Sequence, residues 1–514
     1  MNQRLPPAAA PDLGLTFDHS YVRELPGLYV PWQPSPAPAP RWLRFNEALA
    51  EALGLDAQRL GGPEGLAVFS GQAVPAGAQP VALAYAGHQF GGFSPQLGDG
   101  RALLLGEFID RHGQRHDLAF KGSGPTPFAR GGDGKAAVGP VLREYLISEA
   151  MQALGIPTTR VLAAVATGET IYRDRPLPGA ILTRTAVSHL RVGSFQFLAA
   201  RGDVDGLRRL LRYALARHDA PMAQALDGAD AASIALGLLR GVMQRQAALV
   251  ARWMGVGFIH GVMNTDNMTL SGETIDYGPC AFMEVHDPET VFSSIDYHGR
   301  YAYGNQPGIA QWNLARLAEA LLPVMDLPAE AAVERATAVI HEYPAIYQAQ
   351  WLAECRRKLG LLDTGDARGD QALADAYLQL LHRWEVDHTW GFRALAGVLR
   401  SGQPEPTAAL TESFGAGSAE LRPWLQRWWQ RLSRQDGSLH EAADRMEAAN
   451  PLVIPRNHLV EAALEAASAD ANLRPFEALL QAVRRPFDAG QAGTVWARPA
   501  TAQQRQGYQT FCGT

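Results

Sequence analysis

Cysteine is almost missing from this chain. The three present, Cys280, Cys355 and Cys512, form no C-x-x-C pair, which excludes a disulfide-built scaffold and argues against structural zinc. Long apolar runs are missing too. Although 47% of residues are hydrophobic, no run approaches the roughly 20 residues needed to span a bilayer, so no membrane partner is expected. The opening MNQRLPPAAAPDLG has no charged-then-apolar leader pattern, and a cytoplasmic location is the expectation. Positive charge is not in excess either. A net charge of −6 gives no general attraction to phosphate polymers, so nucleic acid is not an expected partner. A local basic pocket remains compatible with that balance.

The primary ammonium is as scarce as the thiol. Lys121, Lys135 and Lys358 are the only lysines among 46 basic residues. Where arginine is the default, a lysine marks a place for a compact ammonium rather than a planar guanidinium. Two of the three lie close together in a glycine-rich segment, which directs attention there.

Along the chain, residues 1–80 are rich in proline and alanine, and PWQPSPAPAPRW cannot be regular helix or central strand. They are expected as an extended and partly helical segment packed on the body. Residues 81–187 read as β-rich, with strands over 101–110, 116–122, 159–169 and 179–186 and one helix over 140–155. Strand, strand, helix, strand, strand is the order of a protein-kinase N-lobe. Residues 188–330 are expected as a helical C-lobe in which a long apolar helix over 232–256 leads straight into the 258–278 stretch. Beyond it, helices over 311–325, 331–359, 370–399, 419–433, 439–448 and 457–484 make 331–514 a helical extension with an irregular tail. The fold class is therefore α+β, with two kinase-like lobes and a C-terminal extension.

The stretch FIHGVMNTDNMTLSGETIDYG (258–278) carries the strongest chemical signal. A kinase catalytic loop reads H-R-D-x-x-x-x-N and is followed by D-F-G, whose Asp holds Mg²⁺. Aligned on His260 and Asn267, the catalytic Asp is replaced by Val262, which cannot accept a proton. The metal-holding half is intact as Asn267 and Asp276-Tyr277-Gly278, hard oxygen donors suited to Mg²⁺ or Mn²⁺. A loop and a short β-hairpin (MTLSGETID) fit between them. Asp266 stands beside Asn267, and His260 reads as a structural loop histidine.

Other candidates lie upstream. Gly98 and Gly100 sit on a turn before a strand, with Arg101 next. They allow close backbone approach to phosphate or simply form a β-turn. Lys121 ends an apolar strand like the lysine of V-A-I-K. It faces either a phosphate site, with Glu144 as partner in preference to Glu149, or solvent. Asp133, Gly134 and Lys135 lie on a long Gly-rich linker that reads as a surface turn or a functional loop. Arg184 and Arg191 each pair with a carboxylate or clamp phosphate.

With these residues in place the chain resembles the protein adenylyltransferase SelO family, also called selenoprotein O or YdiU. The resemblance is carried by YAGHQFGGFSPQLGDGRA, LAFKGSGPTPFARGGDGKAA, HGVMNTDNM and TIDYGPCAF, and spans most of the chain. It implies a kinase-like fold that binds ATP in flipped orientation and transfers AMP to protein hydroxyls. It places nucleotide contacts on Gly98, Gly100, Arg101, Lys121, Asp133, Gly134, Arg184, Arg191 and Asp276. It also implies metal ligands at Asn267 and Asp276, a base at Asp266 and a Lys121–Glu144 ion pair. An aspartate near its ordinary pKa would be a poor base, so orientation is the role expected of Asp266. The family's C-terminal C-x-x-C has only Cys512 here, and a long-range disulfide from Cys512 to Cys280 is open against two free thiols. A monomer acting on protein substrates is expected. UMP transfer from UTP remains open. An ordinary phosphotransferase is opposed by Val262, and a silent pseudokinase scaffold by the Asn267/Asp276 pair.

Overall fold

The computed structural model describes residues 11–511. Twelve strands are named in chain order: β1 (Tyr29–Pro31), β2 (Arg41–Phe45), β3 (Val81–Leu83), β4 (Gly87–Gln89), β5 (Gly92–Ser94), β6 (Ala102–Ile109), β7 (Arg115–Lys121), β8 (Ala136–Ala137), β9 (Arg160–Tyr172), β10 (Pro176–Ala186), β11 (Phe258–Ile259) and β12 (Ala281–Phe282). Eight of them form one antiparallel sheet in the order β1-β3-β6-β7-β10-β9-β2, with β8 on β10. The mixture of this sheet with many helices is α+β.

Successive side chains of a strand point to opposite faces, and here both faces are covered. Leu105, Leu118, Phe120 and Ile181 pack against the N-terminal helices Glu47–Ala52 and Pro63–Phe69. Ala164, Ala180 and Leu182 face Leu142, Tyr145 and Leu146 of the helix Val138–Ala153. A sheet covered on both faces needs near-continuous apolar strands, which is what Ala102–Leu105 of β6 and Val161–Ala166 of β9 supply.

Three expectations change. Residues 1–80 do more than lie on the body, because β1 and β2 are the two edge strands of the sheet. Pro31 is tolerated there, where a missing N–H costs no ladder bond on the outer side. The long C-terminal helices over 331–359, 370–399 and 457–484 are each divided in two, at 341–342, 384–387 and 470–473. Apolar periodicity runs through these breaks and hid them. Chain reversal there is marked by Pro344 and Pro475 in first turns and by the Asp387 carboxylate accepting from Trp390 N at 2.8 Å.

The third change is at 268–276, which is not a hairpin. Thr269 bridges to Arg191 and Thr274 to Thr158, so the loop is pinned to two outside segments. The end of the extension also has an unexpected location. Helices Asn457–Ala469 and Arg474–Val483 pack on the helix Val138–Ala153, with Phe476, Leu479 and Leu480 fully buried against it. Among the described residues no helix is long and apolar enough to cross a membrane.

Candidate active site

The helix Ala231–Val256 ends at Gly257 in the left-handed conformation and runs into β11. The segment between β11 and its antiparallel partner β12 carries every residue of the 260–278 motif. Gly261 has φ +80°, and a Cβ there would lie 2.5 Å from the Pro279 carbonyl. No side chain fits at the position where the kinase motif has arginine. His260 is buried, donates from Nε2 to the Ile275 carbonyl at 2.9 Å and accepts from Val262 N at Nδ1. Burial holds it below its ordinary pKa, as suits a neutral structural imidazole.

Four charged groups meet at one point below the sheet. Lys121 Nζ, at the end of β7, donates to Glu144 Oε2 and to Asp276 Oδ1, both at 2.8 Å. Arg184 on β10 donates from Nε to Glu144 Oε1 at 2.8 Å and from Nη2 to Asp276 Oδ1 at 2.7 Å. Asp276 has a left-handed backbone, φ +61°, a strained conformation for a residue with a Cβ. Burial pushes its carboxyl pKa up, but Lys121, Arg184 and Arg191 outweigh that and hold it well below the ordinary range. Glu144 is lowered against its burial by Arg184 and Lys121. Glu149, the alternative partner for Lys121, instead binds Arg160 at 2.6 Å and Arg484 at 2.7 Å.

Arg191 closes the other side. Its guanidinium lies 4.3 Å from the centre of the Tyr85 ring, donates to the Asp266 carbonyl at 3.0 Å and comes within 3.9 Å of Asp276 Oδ2. Asp266 is buried. Its Oδ2 accepts from Gln89 Nε2 at 3.3 Å, and its Oδ1 has no partner among the described residues. Burial is the main cause that raises its pKa, to about 6, with Arg191 opposing. That differs from the ordinary value expected for it. A carboxylate with a pKa near neutrality is better matched to taking a proton. Asn267 Nδ2 is bound to the Val262 carbonyl at 3.0 Å, which leaves its oxygen free of that contact.

Lys121, Arg184, Arg191, Asp266, Asn267 and Asp276 line one cleft of about 910 Å³. The cleft's remaining wall is the turn at Gly98–Arg101, folded against the 121–140 linker. Gly98 has φ +81°, and a Cβ would sit 2.4 Å from the Phe128 ring, so packing against this linker requires glycine. Gly100, Arg101, Asp133 and Gly134 line the same cleft. Asp133 is tied to Arg173 at 2.7 Å, and Lys135 to Glu169 at 3.1 Å. Seven basic side chains face four acidic ones around the cleft, a local cationic excess in a chain whose net charge is −6. Among the described residues no cluster of three or more His, Cys, Asp or Glu side chains could hold a metal ion by itself.

Sequence reading missed the hairpin β4–β5. Besides Gln89 on Asp266, His88 N donates to Thr265 Oγ1 at 2.7 Å and Phe90 N to Asn264 Oδ1 at 3.1 Å. It clips the turn that presents Asp266. No spacing rule marks these residues, since the contacts cross more than 170 positions. Cys280 is a buried thiol, its pKa pushed up to about 12 by burial. Cys512 lies outside the described residues. Near the chain's end, Thr510 Oγ1 donates to the carbonyl of Pro279, next to Cys280, at 2.7 Å.

Comparison with known proteins adds one family and several relatives. The family model described as "Protein adenylyltransferase SelO" matches residues 11–484. A protein of Cereibacter sphaeroides named protein nucleotidyltransferase YdiU is 56% identical over 499 residues, covering 97% of this chain and 99% of its own. Proteins with the same name from Chromobacterium violaceum (56% over 492 residues, 95% of this chain, 100% of its own) and Rhizobium johnstonii (52% over 506 residues, 98% of each) match as fully.

Proposed function

The chain belongs to the protein adenylyltransferase SelO family and is a protein nucleotidyltransferase, and from that premise we propose that it transfers AMP from ATP to Ser, Thr or Tyr hydroxyls of proteins. The sheet order β3-β6-β7-β10-β9, with the helix Val138–Ala153 between β7 and β9, supports a kinase-like N-lobe. The observation that carries the reading is the charge deep in the cleft. Lys121, Arg184 and Arg191 converge on Asp276, while Asp266, whose Oδ1 has no partner among the described residues, lines the same cleft. A triphosphate entering γ-phosphate first would leave its α-phosphate nearest Asp266.

In the reaction so written, an acceptor hydroxyl oxygen bonds to the α-phosphorus and the α–β bridging bond breaks. Pyrophosphate leaves with the electron pair, and the hydroxyl proton passes to Asp266. Arg101, Lys121, Arg184 and Arg191 hold phosphate oxygens, the electrostatic role that dominates phosphoryl chemistry. Backbone at Gly98, Gly100 and Gly134 approaches the nucleotide, and Asp133 lies on the same rim.

Asn267 Oδ1 and the Asp276 carboxylate are hard oxygens on one wall of the cleft, a donor pair that fits Mg²⁺ or Mn²⁺ completed by water and phosphate. When bound, the cation neutralises phosphate charge. Asp276 accepts from Lys121 and Arg184, so a cation held by its carboxylate would share it with two groups that also suit phosphate oxygens. Glu144 keeps both oriented.

The test is the intact mass of an acceptor protein after incubation with ATP and either metal. An adenylate adduct that Asp276→Ala abolishes is the expected result; an adduct of phosphate alone, or labelling that persists in the variant, contradicts it. The Thr510–Pro279 contact also supports the Cys280–Cys512 disulfide as part of this proposal. If both thiols alkylate in protein isolated under oxidising conditions, that pairing fails.

A further inference from the structure

A second groove, of about 660 Å³, continues from the cleft, and Phe90 and Ile295 line both. Its wall runs through residues 295–300 and on to Ile309. Eleven large hydrophobic side chains are exposed among the described residues, and four of them lie here: Phe90, Ile295 and Tyr297 in the groove, and Phe93 on the hairpin that forms its lip. Tyr297 is 85% exposed. Single exposed apolar residues are ordinary, but a cluster beside a reaction cleft marks an interaction surface.

The groove's charge is one-sided. Asp296 is buried, and its carboxylate is consumed by the backbone N–H groups of Arg300 (2.9 Å) and Tyr301 (2.7 Å). Arg300 lies 4.7 Å from the centre of the Trp312 ring. Its Nε has no partner, and it enters no ion pair among the described residues. Exposed Phe90, Ile295 and Tyr297 beside a guanidinium without an ion-pair partner have the composition of a protein-binding anchor. The lip also reports to the chemistry. Phe90 has a left-handed backbone, φ +51°, fixed by Asn264 and the Tyr301 hydroxyl on its N–H. The residue before it, Gln89, holds Asp266.

Resting on the reading above, we propose that this groove seats an extended segment of the acceptor protein. A bulky apolar side chain of that segment packs on Phe90, Ile295 and Tyr297, and an acidic one meets Arg300. The acceptor hydroxyl then continues past the lip to Asp266.

Binding and transfer test it separately. Fluorescein-labelled nine-residue peptides with one serine, one phenylalanine and two glutamates, the latter three scanned through all positions, are titrated against the full chain by anisotropy. Counterparts carry alanine for phenylalanine or lysine for glutamate. The best phenylalanine/glutamate peptide is expected to bind at least tenfold more tightly than either counterpart. Tyr297→Ala should remove the phenylalanine dependence and Arg300→Glu should invert the charge preference, with ATP affinity unchanged in both. Equal affinity across the peptide set, or a charge preference that survives Arg300→Glu, overturns the groove assignment. Peptide selectivity without any adenylate transfer upholds the groove and counts instead against the adenylyl-transfer reading.

Discussion

Replacing Asp266 by asparagine separates the proton chemistry of the cleft from its shape. The side chain is buried with one oxygen unpartnered, and burial raises its pKa to about 6. An unfolded aspartate titrates near 3.9, so the folded chain holds this proton more tightly than the unfolded one. The sign follows from linkage: a raised carboxyl pKa gives stability that is full below about pH 4 and is lost as pH rises through about 6. That loss is on the order of 3 kcal/mol. Asparagine has no such proton to lose. Between pH 4 and pH 8, in EDTA, the melting temperature of Asp266→Asn should therefore gain on wild type by about 3 °C for a chain of this size. Activity should move the other way, falling about a hundredfold to ten-thousandfold with loss of a general base. Wild-type kcat/KM should rise with pH through about 6. Scanning fluorimetry across pH, paired with transfer assays, reads both. A melting difference that does not change with pH, or a variant with full activity, refutes the reasoning.

Other substitutions probe the supports of the site. Glu144→Gln leaves Lys121 and Arg184 with Asp276 alone, and breaking a buried pair costs about 3–5 kcal/mol. Triphosphate should then raise the melting temperature more in this variant than in wild type, because phosphate replaces the missing negative charge; equal shifts contradict that. Phe476→Ala removes a fully buried ring 6.0 Å from that of Tyr145 and should cost about 3–5 kcal/mol. It should also lower kcat, since the helix carrying Glu144 loses its outer support. Full activity in a destabilised Phe476→Ala protein would show that helix to be held from the sheet side alone.

Local patterns were legible where they follow local rules. The strands β6, β7, β9 and β10, the helix Val138–Ala153 and the Asn267/Asp276 spacing are local features with short periods. Lys121 stood out because lysine is so rare. What the sequence concealed is long-range. Nothing in Tyr29–Pro31 or Arg41–Phe45 announces pairing with β3 and β9, and nothing in 457–483 names the Glu144 helix as its partner. The perturbed pKa of Asp266 is likewise a property of burial, which a motif does not record. Gln89 escaped notice because its chemistry exists only across the fold.

The central claim is that the reacting phosphorus is α and that Val262 is compatible with that chemistry. The direct test incubates the chain and an acceptor protein with ATP labelled at either the α- or the γ-phosphate. Label retained on protein from α alone, and lost in Asp266→Asn and Asp276→Ala, is the predicted result. Label retained from γ alone would identify an ordinary phosphotransferase and contradict the account.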